Sequence, residues 1–406
     1  MHVVLLLARG IEGCGVTKYA IELEKWLLAN GHQCNVVASK DKRWGRHNAH
    51  SFQNHVLHVK FDHAEFELAY EMCRSADLIL INSVPSISHP EGCIENYGKI
   101  LDLPTKKVFI QHDHNKLSMR RNALLLESVE KSDLVFAHSD KGDFAKMVHE
   151  KVDDKGPLSA FFDDSPDTPI YTFQPGIDMQ GLRLKYWKLI EEQDPRHHKW
   201  IGRTTFWKGF GLMFQFANDH LMKMNHLATL EGIEKSPAYL ALKDKFEGMY
   251  EDFLKENIDD VNIKDYYGKQ PLLFTAYENN PLMERMSKCA FGYQLSLLDP
   301  KFLDKSLEFT HLETVCTGTI PVFRKEYGDN ARHRTKGELL SSYSFEESGT
   351  LWLGEDNQQE VADMMEQLSN NAVMRNEYRE KAYEFYSGYD AKYTYSDMFN
   401  LIQEKI

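Results

Sequence analysis

No hydrophobic run in the 406-residue chain is long enough to cross a bilayer. The apolar start, Met1 to Ala8, lacks a basic leader and ends in Arg9-Gly10 rather than a small-residue cleavage site, so it reads as a first strand and not a signal peptide. Basic residues are in deficit: 48 Lys and Arg stand against 61 Asp and Glu, a formal net charge of −13. This argues against a protein that coats nucleic acid through bulk charge, since such affinity comes from neutralising phosphates. The six cysteines have no metal-ligand spacing, and each lies in or beside an apolar segment, as reduced buried thiols in a reducing cytoplasm do. Helix-turn-helix, zinc-finger and basic-zipper patterns are also missing. What is present is 42% hydrophobic and 27% charged, the make-up of a soluble globular chain long enough for about two domains.

Strand-like runs alternate with helical patterns. Strands are expected at Val3–Ala8, Cys34–Ala38, Val56–Val59, Asp77–Asn82, Lys107–Gln111 and Asp133–His138, with helices at Tyr19–Asn30, Ala64–Arg74 and Leu124–Lys131. Residues 153–167, rich in Asp and Pro, read as a surface loop. A helix at Met179–Glu192 follows, and then the theme repeats. Strands fall at Lys199–Gly202, near Leu227, and at Leu272–Ala276, Ala290–Leu295, Thr319–Phe323 and Thr350–Leu353. Helices fall at Ala241–Glu256, Pro281–Lys288, Leu307–Cys316, Gln358–Ser369 and Ala372–Phe385, with a last one from Tyr395. Near-continuous Val/Ile/Leu strands in βα alternation mean parallel sheets covered on both faces. The expected fold is α/β: two Rossmann-like doubly wound domains facing across a cleft, with ligands beyond the carboxyl ends of the strands.

The strand-end loops carry the candidate chemistry. Lys199-Trp-Ile-Gly-Arg-Thr-Thr-Phe-Trp-Lys-Gly-Phe210 runs from a strand into a turn where Arg203 and Lys208 stand five residues apart. A planar fork of donors and a mobile point charge suit a diphosphate, although a solvated loop has the same composition. The first loop, Arg9 to Lys18, holds glycines 10, 13 and 15 but not the spacing of a dinucleotide fingerprint. His112-Asp113-His114-Asn115 follows the Lys107–Gln111 strand and suits hydrogen bonding or acid/base work better than a metal, because no third ligand motif accompanies it. Glu313 lies in a helix five residues before Gly318, which suits a carboxylate on ribose hydroxyls or an acid stabilising the helix dipole. Two basic groups, residues 39–50 with Lys42, Arg43, Trp44 and Arg46, and then Lys116, Arg120 and Arg121, are either solvated loops or a nucleic-acid contact.

Together the stretches ARGIEGCGVTK (8–18), INSVP (81–85), QHDH (111–114), RRN (120–122), HSDKGDF (138–144), WIGRTTFWKGF (200–210), ERMSK (284–288), FGYQLS (291–296), SLEFTHLE (306–313) and GTIPV (318–322) closely resemble the T-even phage DNA α-glucosyltransferases. These are retaining enzymes of the two-domain GT-B type that glycosylate 5-hydroxymethylcytosine in DNA. The resemblance implies a UDP-sugar donor, glucose ahead of a pentose such as arabinose, and an α-linked product that shields phage DNA from host nucleases. It implies donor contacts from Gly13, Cys14, Gly15, Val16, Arg203, Lys208, Tyr293, Glu308, Phe309, Thr310 and Glu313, and a reacting centre at His112, Asp113 and His114. DNA would lie on Lys42, Arg43, Trp44, Arg46, Lys116, Arg120 and Arg121. The expected partners are hydroxymethylated duplex DNA and the UDP-sugar, with no membrane, no required cofactor or metal, a monomeric state, and a place in the infected bacterial cytoplasm. The expected domains are 1–176 on the acceptor side, 177–386 on the donor side, and a terminal helical segment, 387–406, packing back on the first. One departure stands out: the wider retaining pattern has two glutamates eight residues apart, but Lys305 stands eight before Glu313, and the nearest upstream carboxylate is Glu308. Glu308 is expected to replace the first glutamate only approximately, through its backbone N–H as much as its side chain. A transferase acting on polysaccharide or a small acceptor would share the donor half, whereas a non-catalytic DNA-binding module would not need three such loops.

Overall fold

The first strand is apolar and buried on both faces from Val3 to Leu7. A computed structural model of the chain describes residues 1–7, 15–39, 52–54, 56–85, 91–112, 123–137, 168–172, 174–203, 209, 212, 216, 220, 224–229, 281–296 and 307–406. The expected loop at 153–167, helix at 241–256 and strand at 272–276 lie outside these residues. Strands β1 (His2–Leu7), β2 (Gln33–Ser39), β3 (Val56–Val59), β4 (Leu78–Ser83), β5 (Lys106–Gln111), β6 (Leu134–Ala137) and β7 (Ile170–Thr172) form one parallel sheet in the order β3-β2-β1-β4-β5-β6-β7. Helices α1 (Gly15–Ala29), α2 (Phe66–Arg74), α3 (Glu91–Leu101) and α4 (Ala123–Glu130) alternate with its strands.

A second parallel sheet has the order β12-β11-β10-β8-β9, built from β8 (Asp194–Arg203), β9 (Met224–Thr229), β10 (Cys289–Gln294), β11 (Ile320–Arg324) and β12 (Leu351–Leu353). Its helices are α5 (Met179–Tyr186), α6 (Pro281–Ser287), α7 (Phe309–Cys316), the short α8 (Lys325–Gly328) and α9 (Phe345–Ser348), α10 (Gln358–Asn370) and α11 (Ala372–Tyr386). Strand order reverses between β1 and β4 in the first sheet and between β10 and β8 in the second. Those are the places where a doubly wound sheet opens a crevice for a ligand.

The last helix, α12 (Ala391–Lys405), returns to the first sheet. Tyr395, Met398, Phe399 and Ile402 are buried in one cluster with Val3, Leu5, Tyr19, Leu23 and Leu27. The crossing is fixed by main-chain bonds. The Ala391 N–H donates to the Ile177 carbonyl at 2.8 Å, and the Tyr395 hydroxyl donates to the Gly176 carbonyl at 2.9 Å. Gly176 is needed there, because a Cβ would run into Thr394 and the Ala391 backbone. Tyr395→Phe leaves the Gly176 carbonyl buried without its donor, so the unfolding free energy should fall by about 1–2 kcal/mol. A denaturant midpoint equal to that of the parent would show that this bond does not hold the crossing.

Strand β7 and the short helices α8 and α9 were not expected, and three further elements differ from the sequence expectation. Strand β8 begins at Asp194 rather than Lys199, because pairing with β10 extends down to Asp194 opposite Cys289 and overrides a polar stretch that reads as a loop. Helix α3 was not expected, since Gly92 and Gly98 dilute its pattern. Its buried residues, Cys93, Tyr97, Ile100 and Leu101, nevertheless fall on one helical face. Helix α12 begins at Ala391 rather than Tyr395, with the Asp390 carboxylate accepting the Lys392 N–H at 3.0 Å as its cap. The five described cysteines, Cys34, Cys73, Cys93, Cys289 and Cys316, are buried, and burial pushes the Cys73 thiol up to about 12.

Candidate active site between the two sheets

Helix α1 starts at Gly15, directly after the first glycine loop, and its opening turn faces the start of α7 from the other sheet. A Cβ on Gly15 would sit 4.0 Å from the Phe309 ring. The Lys18 ammonium lies 4.9 Å from the Phe309 ring centroid and is ion-paired with Glu313 Oε1. Phe309 packs against the apolar clusters of both halves. Burial pushes the Lys18 ammonium down, with the Glu22 carboxylate the leading charge that opposes the shift. The pair therefore joins a cation on α1, beside the first sheet, to a carboxylate on α7, beside the second, in one largely buried contact.

At the carboxyl end of β10, Gln294 and Ser296 meet the residues that open α7. The Gln294 amide donates to Glu308 Oε2 at 2.7 Å and to Thr310 Oγ1 at 2.5 Å, and the Ser296 hydroxyl donates to the same carboxylate oxygen at 3.3 Å. The Glu308 N–H is taken by His311 Nδ1 at 3.2 Å. The turn N–H groups left for a ligand at this helix start are those of residues 309 and 310, which have no intrahelical partner. Gly209 lies at the same place. Its φ is +71°, and a Cβ there would overlap the Leu295 carbonyl, so only glycine lets the turn after Lys208 lie against the end of β10.

In the first sheet, His112 follows β5, and its Nε2 lies 2.8 Å from Asn82 Oδ1. The Asn82 amide donates to the Val16 carbonyl at 2.9 Å. The Tyr19 ring stands edge-on to the imidazole, with centroids 5.0 Å apart, and its hydroxyl reaches Met398 Sδ at 3.1 Å. The C-terminal helix thus backs the shelf on which His112 sits. Among the described residues, no three His, Cys, Asp or Glu side chains gather as a metal-binding group.

The family model for DNA alpha-glucosyltransferase matches residues 14–373. The chain belongs to the DNA alpha-glucosyltransferase family. A family member, the DNA alpha-glucosyltransferase of Enterobacteria phage T4, is 39% identical over 411 residues, covering 99% of this chain and 100% of that one. Among solved structures, alpha-glucosyltransferase in complex with UDP is 35% identical with a TM-score of 0.80, covering 99% of this chain and 100% of the other. A structure of alpha-glucosyltransferase with UDP and a 13-mer DNA containing an HMU base is also 35% identical, with a TM-score of 0.80 and 99% of each chain covered. An Anabaena protein solved with UDP and glucose is 11% identical with a TM-score of 0.58, covering 99% of each chain, and shares the fold alone. This member of the DNA alpha-glucosyltransferase family is a glycosyltransferase with the GT-B fold.

Within this glycosyltransferase the structure brings together Gly15, Val16, Glu308, Phe309, Thr310 and Glu313, with His112 one hydrogen-bonded residue away from Val16. Arg203 ends β8, at the carboxyl edge of the second sheet. Tyr293, expected at the donor, belongs instead to the core. Its hydroxyl lies 2.8 Å from His198 Nδ1 and 3.6 Å from Met365 Sδ, because neighbouring residues on β10 face opposite sides and Gln294 takes the site-facing position. The expected use of the Glu308 N–H is also corrected, since His311 occupies it. Gly13, Cys14, Lys208, Asp113, His114, Lys42, Arg43, Trp44, Arg46, Lys116, Arg120 and Arg121 lie outside the described residues. Lys18, Asn82, Gln294 and Ser296 join the site without having been singled out from sequence. Their signal was present, however, as polar residues at or just beyond strand ends inside the motifs.

Proposed function

We propose that this glucosyltransferase moves glucose from UDP-glucose onto the hydroxymethyl group of 5-hydroxymethylcytosine in double-stranded DNA, with retention to an α-linkage, inside the infected bacterium. The observation that carries the reading is the contact of Lys18 and Gly15 with Glu313 and Phe309 across two sheet crevices. It occurs in a chain whose relatives are named for DNA glucosylation and include structures with UDP, with UDP-glucose and with HMU-containing DNA. In this reading residues 1–176 face the acceptor, 177–386 hold the donor, and 387–406 brace the first domain.

Glu313 accepts the ribose hydroxyls. The diphosphate lies over the N–H groups of residues 309 and 310, between Arg203 and Lys208, with the Gly13–Val16 turn covering the sugar-phosphate. UDP departs as an anion, and fixed cations with a helix N-terminus stabilise that charge where it develops, so no metal is required. Glu308 is held by Gln294 and Ser296 at the place where the sugar of the donor would lie. His112, with Asp113 and His114 beside it in sequence, either takes the acceptor proton or holds sugar hydroxyls. A base inside a duplex does not reach such a crevice, so the modified cytosine is flipped out, at a cost of a few kcal/mol.

Donor identity is the finer point. A pentose such as arabinose lacks the exocyclic hydroxymethyl group. A pocket that only encloses that group discriminates by ~1–3 kcal/mol, whereas one that hydrogen-bonds it discriminates far more. The test is competition of UDP-glucose with UDP-arabinose on one hydroxymethylated duplex, followed by nucleoside mass spectrometry and the anomeric coupling constant of the product. Glucose in α-linkage is expected, and exclusive pentose incorporation or a β-anomer would overturn this part. The DNA surface is tested separately. With Arg43 and Arg46 both replaced by alanine, the slope of log affinity against log salt should flatten by about one for each phosphate no longer neutralised. An unchanged slope would place DNA elsewhere.

A further inference from the structure

We propose that Asn82 is a positioning residue that fixes the tautomer of His112, with the proton on Nε2 and the lone pair on Nδ1; the inference rests on the proposed place of His112 at the reacting centre. Asn82 is fully buried at the end of β4. The register between β1 and β4 slips there: Leu6 pairs with Ile81 but Leu7 pairs with Ser83, leaving Asn82 as the extra residue of a bulge. Bulges re-aim a side chain without breaking the sheet. The amide so aimed makes two bonds, and together they leave no choice of orientation.

The Val16 carbonyl only accepts, so the group 2.9 Å from it must be the Asn82 NH2, and Oδ1 must be the atom that faces His112. Oδ1 also only accepts. The Nε2 at 2.8 Å must then carry a proton, and the neutral imidazole has its lone pair on Nδ1. The Tyr19 ring packed edge-on resists rotation of the imidazole, and Tyr19 is itself held by Met398 and Tyr395. Because Val16 lies in the first turn of α1, the same amide ties the imidazole to the glycine turn proposed to cover the donor. One buried asparagine thereby sets the protonation state of the candidate base and its register relative to the donor loop.

The test reads the tautomer directly. In 15N-histidine-labelled protein near neutral pH, the His112 resonances, identified by their loss in His112→Gln, should show a protonated Nε2 and an unprotonated Nδ1. A predominant Nδ1–H form in the parent protein would overturn the inference whatever any variant does. Asn82→Ala should give mixed tautomers and lower kcat on hydroxymethylated duplex at least ~10-fold, with the KM for the UDP-sugar within about 2-fold. Asn82→Asp keeps an acceptor toward Nε2 and should restore the single tautomer and part of the kcat. If Asn82→Ala retains the tautomer, or loses KM and kcat alike, Asn82 is a packing residue and the inference is wrong. Retention of full turnover by His112→Gln would instead defeat the proposed role of His112, while the tautomer spectra still decide what Asn82 does.

Discussion

Replacing Arg203 by alanine, or Lys208 by alanine, is expected to lower turnover at least ~10²-fold, the size of effect seen when one preorganised stabiliser of transition-state charge is removed. The reason is positional. Arg203 ends β8 next to the strand-order reversal, and Gly209, one residue after Lys208, is pressed against Leu295 at the end of β10. The diphosphate is proposed to lie between these two cations, at the start of α7. Neither change should disturb the core, and melting should stay close to that of the parent. Near-normal turnover with unchanged donor affinity in either variant would remove the diphosphate from this loop.

Glu313→Ala is expected to raise the KM for the UDP-sugar by roughly 10²-fold, since hydrogen bonds from the ribose to a carboxylate contribute about 1.5–3 kcal/mol each. It also removes the ion-pair partner of the buried Lys18 ammonium, leaving the Glu22 carboxylate as the leading opposite charge acting on it, which costs more than the ion pair itself contributes. The two consequences separate in a second variant. Adding Lys18→Met should recover stability but not donor affinity, whereas recovery of both would mean that Glu313 serves the interface and not the ribose. The stability loss carries a pH signature. Burial lowers the Lys18 pKa below its ordinary 10.5, so the unfolded chain binds more protons between the folded and unfolded values, and stability rises with pH across that window. Loss of the carboxylate lowers the folded value further and extends the window downward. The deficit of Glu313→Ala should therefore shrink as pH rises toward 10.5, and a deficit that grows with pH would contradict the buried-cation account.

Much of the fold was legible because parallel strands buried on both faces must be apolar throughout. Val3 to Leu7 and Ile79 to Ile81 announce themselves, and turn glycines mark where they stop. The loops that carry Arg203, His112 and Glu308 could be found from the rule that ligands sit beyond strand ends. What that rule lacks is direction. The resemblance placed Tyr293 in the site although the pleat turns its ring into the core, and neither it nor the rule singled out Gln294, the next residue. Pairings across long separations were also invisible. Lys18 and Glu313 are 295 residues apart and belong to different sheets, and the Asn82 to His112 bond depends on a one-residue slip in register that no local pattern signals. Helix α3 was missed because two glycines weakened its periodicity, while Tyr97 and Ile100 still found the core.

The central claim is that the crevice between the sheets joins a UDP-sugar to a hydroxymethylated base in DNA. It is tested most directly by incubating the protein with UDP-glucose and three substrates: duplex DNA containing 5-hydroxymethylcytosine, the same duplex with unmodified cytosine, and a polysaccharide acceptor. The products are then digested and weighed as nucleosides or glycans. A glycosylated nucleoside from the first duplex alone, abolished in Arg203→Ala, is the expected result. Transfer to polysaccharide, with no glycosylated nucleoside from either duplex under any UDP-sugar tried, would contradict it.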